Sequence, residues 1–481
     1  MTKLNWEQLF FDVRIRDLNR DLNNHDKFSS NIVNIQNEFD RDYARIIYSS
    51  SVRRLQDKTQ VFPLQQNDFI RTRLTHSLEV SSLSESMGWQ IAHILHTKEI
   101  EGFEDLKKLK RLPSLLKVSG LLHDLGNPPF GHFGEYVIKN WFSNFFNEDS
   151  KENNKLNYST LKSKENMITE EEKCDFKYFD GNAQGIRILS RLQLLNDEFG
   201  ANLTLATLAT LMKYPWSSSN VKCKDENVGK EKFGYMCSEK TINQFILENM
   251  MNNKEEVRHP ATYILEAADD IAYLVADMED AIGKGVISFR DVREFLLENL
   301  SNDAYQSPHS VHTRELLTTI DEEVFSVNRF FVDLRDKLID GARHNFVNHY
   351  DEIMAGMFNQ DLFKNSWAED LYFILRKLSE EQIYDHKGIL RLEIAGYTTL
   401  TYLLDSFVPS LVAYDTNRQL DYVELKKIGI ISESQRRSYH YFAKGKSEVE
   451  KLYLRLLLAT DFISGMTDSY SHRLYLDMVG I

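Results

Sequence analysis

Apolar residues recur at three- and four-residue spacing along most of this chain. That period narrows the fold more than any other feature, because it matches one face of an α-helix and not the alternation of a pleated strand. Alternating Val/Ile/Thr runs are scarce, and only eight prolines interrupt the 481 residues, so the expected fold class is all-α. Two stretches break the helical pattern. Residues 144–177 are rich in Asn, Lys, Glu and Ser, and residues 216–232 carry Ser217-Ser218-Ser219 and several lysines. Both read as long polar insertions, since residues with chemical promise lie on either side and must meet in one fold. A softer boundary near Gly283–Gly285 divides a core of residues 1–285 from a helical C-terminal region of residues 286–481.

Composition excludes several classes. A formal charge of -14 argues against a surface devoted to nucleic acid, although a local basic pocket for phosphate remains compatible with it. The three cysteines, Cys174, Cys223 and Cys237, have no CxxC spacing and are odd in number, which supports neither a disulfide framework nor a zinc ribbon. No run of 18 apolar residues occurs and the N-terminus lacks a signal-type core, so a soluble cytoplasmic protein without membrane contact is expected.

The chemistry concentrates in His123-Asp124-Leu125-Gly126-Asn127-Pro128-Pro129-Phe130-Gly131-His132-Phe133-Gly134-Glu135, directly after the apolar run ending at Leu122. Adjacent His and Asp at the end of a buried helix can offer nitrogen and oxygen to one divalent metal. Two further candidate ligands lie far away in sequence. His76 sits near the start of a helix whose Leu83, Met87 and Ile91 repeat every four residues. Asp269 belongs to a segment in which Ile264, Ala268, Ile271, Val275 and Ile282 line one side and Asp269, Tyr273 and Asp277 the other. Taken singly, His76 also reads as a satisfied polar residue, and the acidic row as a solvated face. The tyrosine in the middle of that row suits a sugar-binding wall instead.

The order His76, His123-Asp124, Asp269 resembles that of the HD-domain metal phosphohydrolases. The wider motif set is similar to their bacterial deoxyguanosinetriphosphate triphosphohydrolase branch. The matching blocks are Arg53-Arg54-Leu55-Gln56-Asp57-Lys58-Thr59-Gln60-Val61-Phe62-Pro63-Leu64, the His123–Glu135 block, Asp180-Gly181-Asn182-Ala183-Gln184-Gly185, Lys213-Tyr214-Pro215, Lys232-Phe233-Gly234-Tyr235, and Glu266–Tyr273. Ser464-Gly465-Met466-Thr467-Asp468 is a fainter echo. The resemblance implies an HD-type helical core with a helical C-terminal extension. It also implies a homo-oligomer, a hexamer, that responds to single-stranded DNA.

Mixed nitrogen and carboxylate ligation suits Mn²⁺, Mg²⁺, Fe²⁺ or Zn²⁺, and the resemblance favours Mn²⁺ or Mg²⁺. Water activated at such an ion would attack the α-phosphorus of a nucleoside triphosphate and release nucleoside and intact triphosphate. His132 is the candidate general acid for the departing 5′-oxygen, with Glu135 orienting it. Arg73, three residues before His76, could set its guanidinium beside the phosphate, and Lys213, Tyr214 and Lys232 could hold the outer phosphates. Val61 and Asn182 enter the substrate set through their blocks. The resemblance further implies that Gln60, Tyr273 and Asp277 contact the 3′-hydroxyl and pack against the 2′ carbon, which would prefer dGTP over GTP. Glu393 could accept from guanine N1–H and N2–H₂ together. Two other readings stay open: a broad deoxynucleotide triphosphohydrolase or another HD phosphohydrolase, and a single-stranded-DNA-binding regulator with a vestigial site.

Overall fold

The computed structural model describes residues 3–17, 36–60, 71–147, 168–193, 199–221, 232–300, 308–319 and 324–481. Val61, Cys223 and residues 148–167 and 222–231 of the two expected insertions lie outside them. Among the described residues the secondary structure is helical, with only isolated β-bridges such as Thr59 to Thr72. The all-α expectation holds.

The helices that build the site are α1 (Arg73–Thr97), α2 (Arg111–Leu122), α3 (Gly131–Phe146), α4 (Gly181–Arg187), α5 (Pro260–Gly283), α6 (Val324–Asn348), α7 (Glu369–Leu378), α8 (Lys387–Ala413), α9 (Glu448–Ser464) and α10 (Asp468–Val479). The start of α1 is set by Thr72, whose side chain accepts from the Thr75 backbone N–H while Thr75 reciprocates. Along α5, Ile264, Ala268, Ile271 and Val275 are fully buried, which is the stripe read from the sequence.

The crossing of α1 and α2 is unusually close. A Cβ on Gly120 would lie 2.7 Å from Ser81 Cα, so glycine is what lets the two backbones touch. Ser81 Oγ donates to the Lys117 carbonyl at 2.7 Å and Ser84 Oγ to the Leu116 carbonyl at 3.0 Å across the same seam. These contacts hold the third turn of α1, beyond the turn that carries His76, against the second half of α2.

Two hydrophobic cores result. The first joins α1, α2 and α5 to Leu334 and Leu338 of α6 and Leu371, Leu375 and Leu378 of α7. The second packs Val137, Ile138, Trp141, Phe142 and Phe145 of α3 against Leu400, Leu403, Leu404 and Phe407 of α8 and Leu456, Leu457 and Ile463 of α9. Residues beyond 285 thus contribute to both.

The expected insertion over residues 144–177 is shorter than read. Helix α3 continues to Phe146 because Trp141, Phe142, Phe145 and Phe146 are buried, and Glu170–Lys177 is a helix begun by a capping box between Thr169 and Glu172. Polar composition masked those two helix ends. In the second stretch, Trp216 and Ser218 are buried and Ser218–Asn220 forms a 3₁₀ turn.

A buried charge group ties the two cores together. Arg187 at the end of α4 donates from Nε and Nη2 to both oxygens of Asp461 on α9, at 2.8 and 2.7 Å, and Gln184 Nε2 adds a third bond at 2.9 Å. Asp461→Ala leaves the buried guanidinium with only the longer ionic contact from Nη1 to Glu239 Oε1, at 3.4 Å, so stability in urea unfolding should fall by up to about 3–5 kcal/mol. A loss well under 1 kcal/mol would show that this link is dispensable.

Candidate active site

Three donor atoms converge where α1, α2 and α5 meet. His76, in the first turn of α1, is fully buried, and its Nε2 lies 3.0 Å from Asp269 Oδ1 at the middle of α5. His123 caps the C-terminus of α2 and donates from Nδ1 to the Gly120 carbonyl at 2.8 Å. That bond leaves Nε2 as the free lone pair, 3.3 Å from the same Asp269 oxygen. His123 Nε2 is buried without a hydrogen-bond partner.

The electrostatics say what belongs there. Burial alone would lower the pKa of His123, yet Asp269 and Asp124 outweigh it and raise it to about 9. Burial likewise pushes Asp269 up, but His123 and His76 hold it well below the usual carboxylate range. The two imidazoles and the carboxylate form a group whose ligand atoms all lie within 4.8 Å of one another. This N,N,O set with an orphaned nitrogen fits a divalent cation.

Asp124 stands beside this group. Its Oδ1 is 3.6 Å from His123 Nε2, and its oxygens accept from Arg73 Nη1 at 2.7 Å and Asn127 Nδ2 at 2.6 Å. Arg73 is itself buried; its Nη1 orients Asp124, while its Nε has no hydrogen-bond partner. A Cβ on Gly131 would sit 2.5 Å from Arg73 Nη2, which explains glycine at that turn, where φ is +57°.

The second chemical pair begins α3. His132 Nδ1 lies 3.3 Å from Glu135 Oε2, and the His132 side chain is 73% exposed whereas Glu135 is buried. Glu135 Oε1 accepts from the Gly181 N–H at the start of α4, at 2.8 Å. Burial opposes ionisation of Glu135, but His132 and Lys232 hold its pKa at about 2. It is therefore a fixed carboxylate behind an exposed imidazole.

Both groups open onto one cavity of about 600 Å³. Its walls include Gln60, Arg73, His123, Asp124, His132, Asn182, Lys213, Tyr214, Lys232, Asp269, Tyr273 and Glu393, all expected from the sequence. Lys213 pairs with Glu266 at 2.9 Å. Gln60 Oε1 is buried and unpartnered, and Asn182 Nδ2 donates to Asp180 Oδ1 at 2.8 Å.

The chain is similar to known proteins along nearly its whole length. A family model described as HD domain matches residues 73–174, the span that carries His76, His123, Asp124, His132 and Glu135. A Listeria monocytogenes protein named deoxyguanosinetriphosphate triphosphohydrolase-like protein is 38% identical over 99% of this chain and 100% of its own length. A Yersinia enterocolitica deoxyguanosinetriphosphate triphosphohydrolase is 31% identical over 91% of this chain and 92% of its own. A Synechocystis protein named as triphosphohydrolase-like is 32% identical over 92% and 94%. The chain belongs to the deoxyguanosinetriphosphate triphosphohydrolase family of HD-domain proteins.

Within that family frame, one expected residue has a different place. Asp277 is 1% exposed and lies behind the cavity wall, where it accepts from the Tyr384 hydroxyl at 2.6 Å. Burial raises its pKa to about 8, with the Tyr384 bond acting the other way. Asp277 anchors Tyr384, which stacks on Tyr273 with ring centroids 6.1 Å apart. Val61 lies outside the described residues.

Several cavity residues escaped sequence reasoning. Arg258 pairs with Glu266 at 3.0 Å and lies over Tyr214, and Asp270 accepts from Tyr372 at 3.0 Å. Arg258 precedes the His259-Pro260 start of α5, a helix-start signal that could have located it at the head of that helix without revealing its direction. Tyr372, Arg376 and Tyr384 carry no motif; only the fold brings them in.

Asp269→Ala removes the oxygen shared by both imidazoles. Divalent metal binding, followed by calorimetry with Mn²⁺, should weaken by more than the ~10–100-fold typical of losing an outer partner. Unchanged affinity would take Asp269 out of the ligand set.

Proposed function

We propose that this chain hydrolyses dGTP to deoxyguanosine and inorganic triphosphate. The observation that carries the reading is the shared cavity: a His–His–Asp donor group and the His132–Glu135 pair open onto one space with Lys213, Lys232 and Arg258. When bound at His76, His123 and Asp269 with Asp124 alongside, a divalent ion, Mn²⁺ or Mg²⁺, supplies Lewis-acid activation of water and of a phosphoryl oxygen.

The protein's own residues do the rest. Glu135 accepts from His132 Nδ1, so Nε2 is the atom that delivers a proton to the departing 5′-oxygen. Lys213, Lys232 and Arg258 neutralise the outer phosphates, with Tyr214 beneath Lys213 and Arg258. Arg73 and Asn127 keep Asp124 oriented.

For the sugar, the Tyr273–Tyr384 stack, braced by Asp277, is a rigid wall that supports exclusion of a 2′-hydroxyl. Gln60 Oε1 offers an unused acceptor for the 3′-hydroxyl, and Asn182 lines the same space. Glu393, on the cavity wall, supports guanine recognition through N1–H and N2–H₂. In this reading residues 1–285 carry the catalytic core and the C-terminal region completes the nucleotide pocket through Tyr384, Ile389 and Glu393. Exposed Leu390, Ile394 and Tyr397 on α8 support assembly into a homo-oligomer.

Incubation with each of the four deoxynucleotides and Mn²⁺ should consume dGTP fastest and yield triphosphate and deoxyguanosine; pyrophosphate or orthophosphate would sink the reading. Equal consumption of all four would replace it with a broad deoxynucleotide triphosphohydrolase, and equal rates on dGTP and GTP would refute the steric wall. His132→Ala should lower turnover by about a hundredfold or more with metal content intact. Near-normal turnover would remove His132 from the chemistry.

A further inference from the structure

From within, the turn that launches α3 is held by backbone bonds alone, from the Gly131 N–H to the Pro128 carbonyl at 3.2 Å and from the Gly134 N–H to the Phe130 carbonyl at 3.3 Å. Phe130, the residue before the helix, has φ of +62°, a left-handed conformation that a bulky side chain seldom takes. It makes no side-chain cap, and its own N–H points away from α3. Gly131 follows with φ of +57°, and His132 comes next. The direction of His132 therefore depends on whatever fixes Phe130.

That support comes from the far end of the chain. Asp468, the first residue of α10, is 2% exposed, and its carboxylate does not cap its own helix; Thr467 does that, accepting from Tyr470 N–H. Asp468 Oδ1 instead accepts from the Phe130 N–H at 3.0 Å. Asp468 Oδ2 accepts from the Thr59 N–H at 3.0 Å and the Thr59 hydroxyl at 2.5 Å, next to Gln60. Beside it, Lys58 Nζ is buried and donates to the Asn127 carbonyl at 2.5 Å and the Ser464 carbonyl at 2.8 Å. The Phe130 ring lies against Gly396 of α8, where a Cβ would come within 2.8 Å of it.

We infer that Asp468 is a positioning residue for the hydrolysis: by holding the Phe130 and Thr59 backbones together it fixes the left-handed turn that aims His132 at the substrate. The inference rests on the proposed role of His132. It also gives a task to the Ser464–Asp468 motif, none of whose residues lines the cavity itself. A carboxylate suits the task because its two oxygens together accept three donors. An asparagine has one acceptor oxygen, so it must give up one of the two loops or turn an N–H toward a donor.

The test is a double-mutant cycle with His132→Ala in the full-length enzyme, supported by Asp468→Asn in case Asp468→Ala does not fold. Misaiming a catalytic group by about 1 Å costs on the order of a hundredfold, and that loss is expected in kcat for Asp468→Asn, with KM and bound metal near wild type. Placed in the His132→Ala background, the same substitution should cost no more than about threefold further, because the group it aims is gone. Equal losses in both backgrounds, or a loss carried by KM or metal content, would overturn the inference and leave the role of His132 standing. Wild-type turnover by His132→Ala alone with an impaired Asp468→Asn would instead overturn the role of His132 and, with it, any route through that residue.

Discussion

One oxygen organises the centre of this molecule. Asp269 Oδ1 lies 3.0 Å from His76 Nε2 and 3.3 Å from His123 Nε2, and those three residues come from three different helices. An ionised carboxylate beneath a protein surface is costly unless opposite charge meets it. Here the compensation comes from His123 and His76, which hold Asp269 ionised, while Asp269 and Asp124 in turn raise the pKa of His123. The close α1–α2 seam at Gly120 and the apolar stripe of α5 exist in physical terms to bring these atoms within reach of one cation.

The C-terminal half contributes more than bulk. Tyr384, held by Asp277, stacks on Tyr273 at the cavity wall, Glu393 lines the cavity from α8, and Asp461 and Asp468 reach back to α4 and to the turn before α3. The Glu135 carboxylate is held by the first N–H of α4, and α4 is in turn held by Asp461 through Arg187. The turn before His132 is thus tied to a side chain far along the sequence, the Asp468–Phe130 bond spanning a separation of 338.

What was legible in the sequence follows the same division. Helical periodicity gave the fold class, because a 3.6-residue stripe such as Ile264, Ala268, Ile271 and Val275 must be buried on one side. Local pairs were legible too: His132 and Glu135 are three apart on a helix and do meet. Long-range convergence was not readable from spacing. His76, His123 and Asp269 were joined by their resemblance to a known motif order, whereas Tyr372, Arg376 and Tyr384 had no motif and went unseen. Asp277 was read as facing the ligand because it shares a helical face with Asp269 and Tyr273, but two turns along that helix the face is covered by Tyr384. The ends of the first polar stretch were misread because charged helices such as Glu170–Lys177 resemble loops in composition.

The account turns on water attacking phosphorus while the nucleoside oxygen departs with a proton. Hydrolysis of dGTP in ¹⁸O-enriched water tests this most directly, with the products separated and weighed by mass spectrometry. The account predicts one heavy oxygen in the triphosphate and none in the deoxyguanosine. Label in the deoxyguanosine, which would mean attack at the sugar carbon, would contradict it.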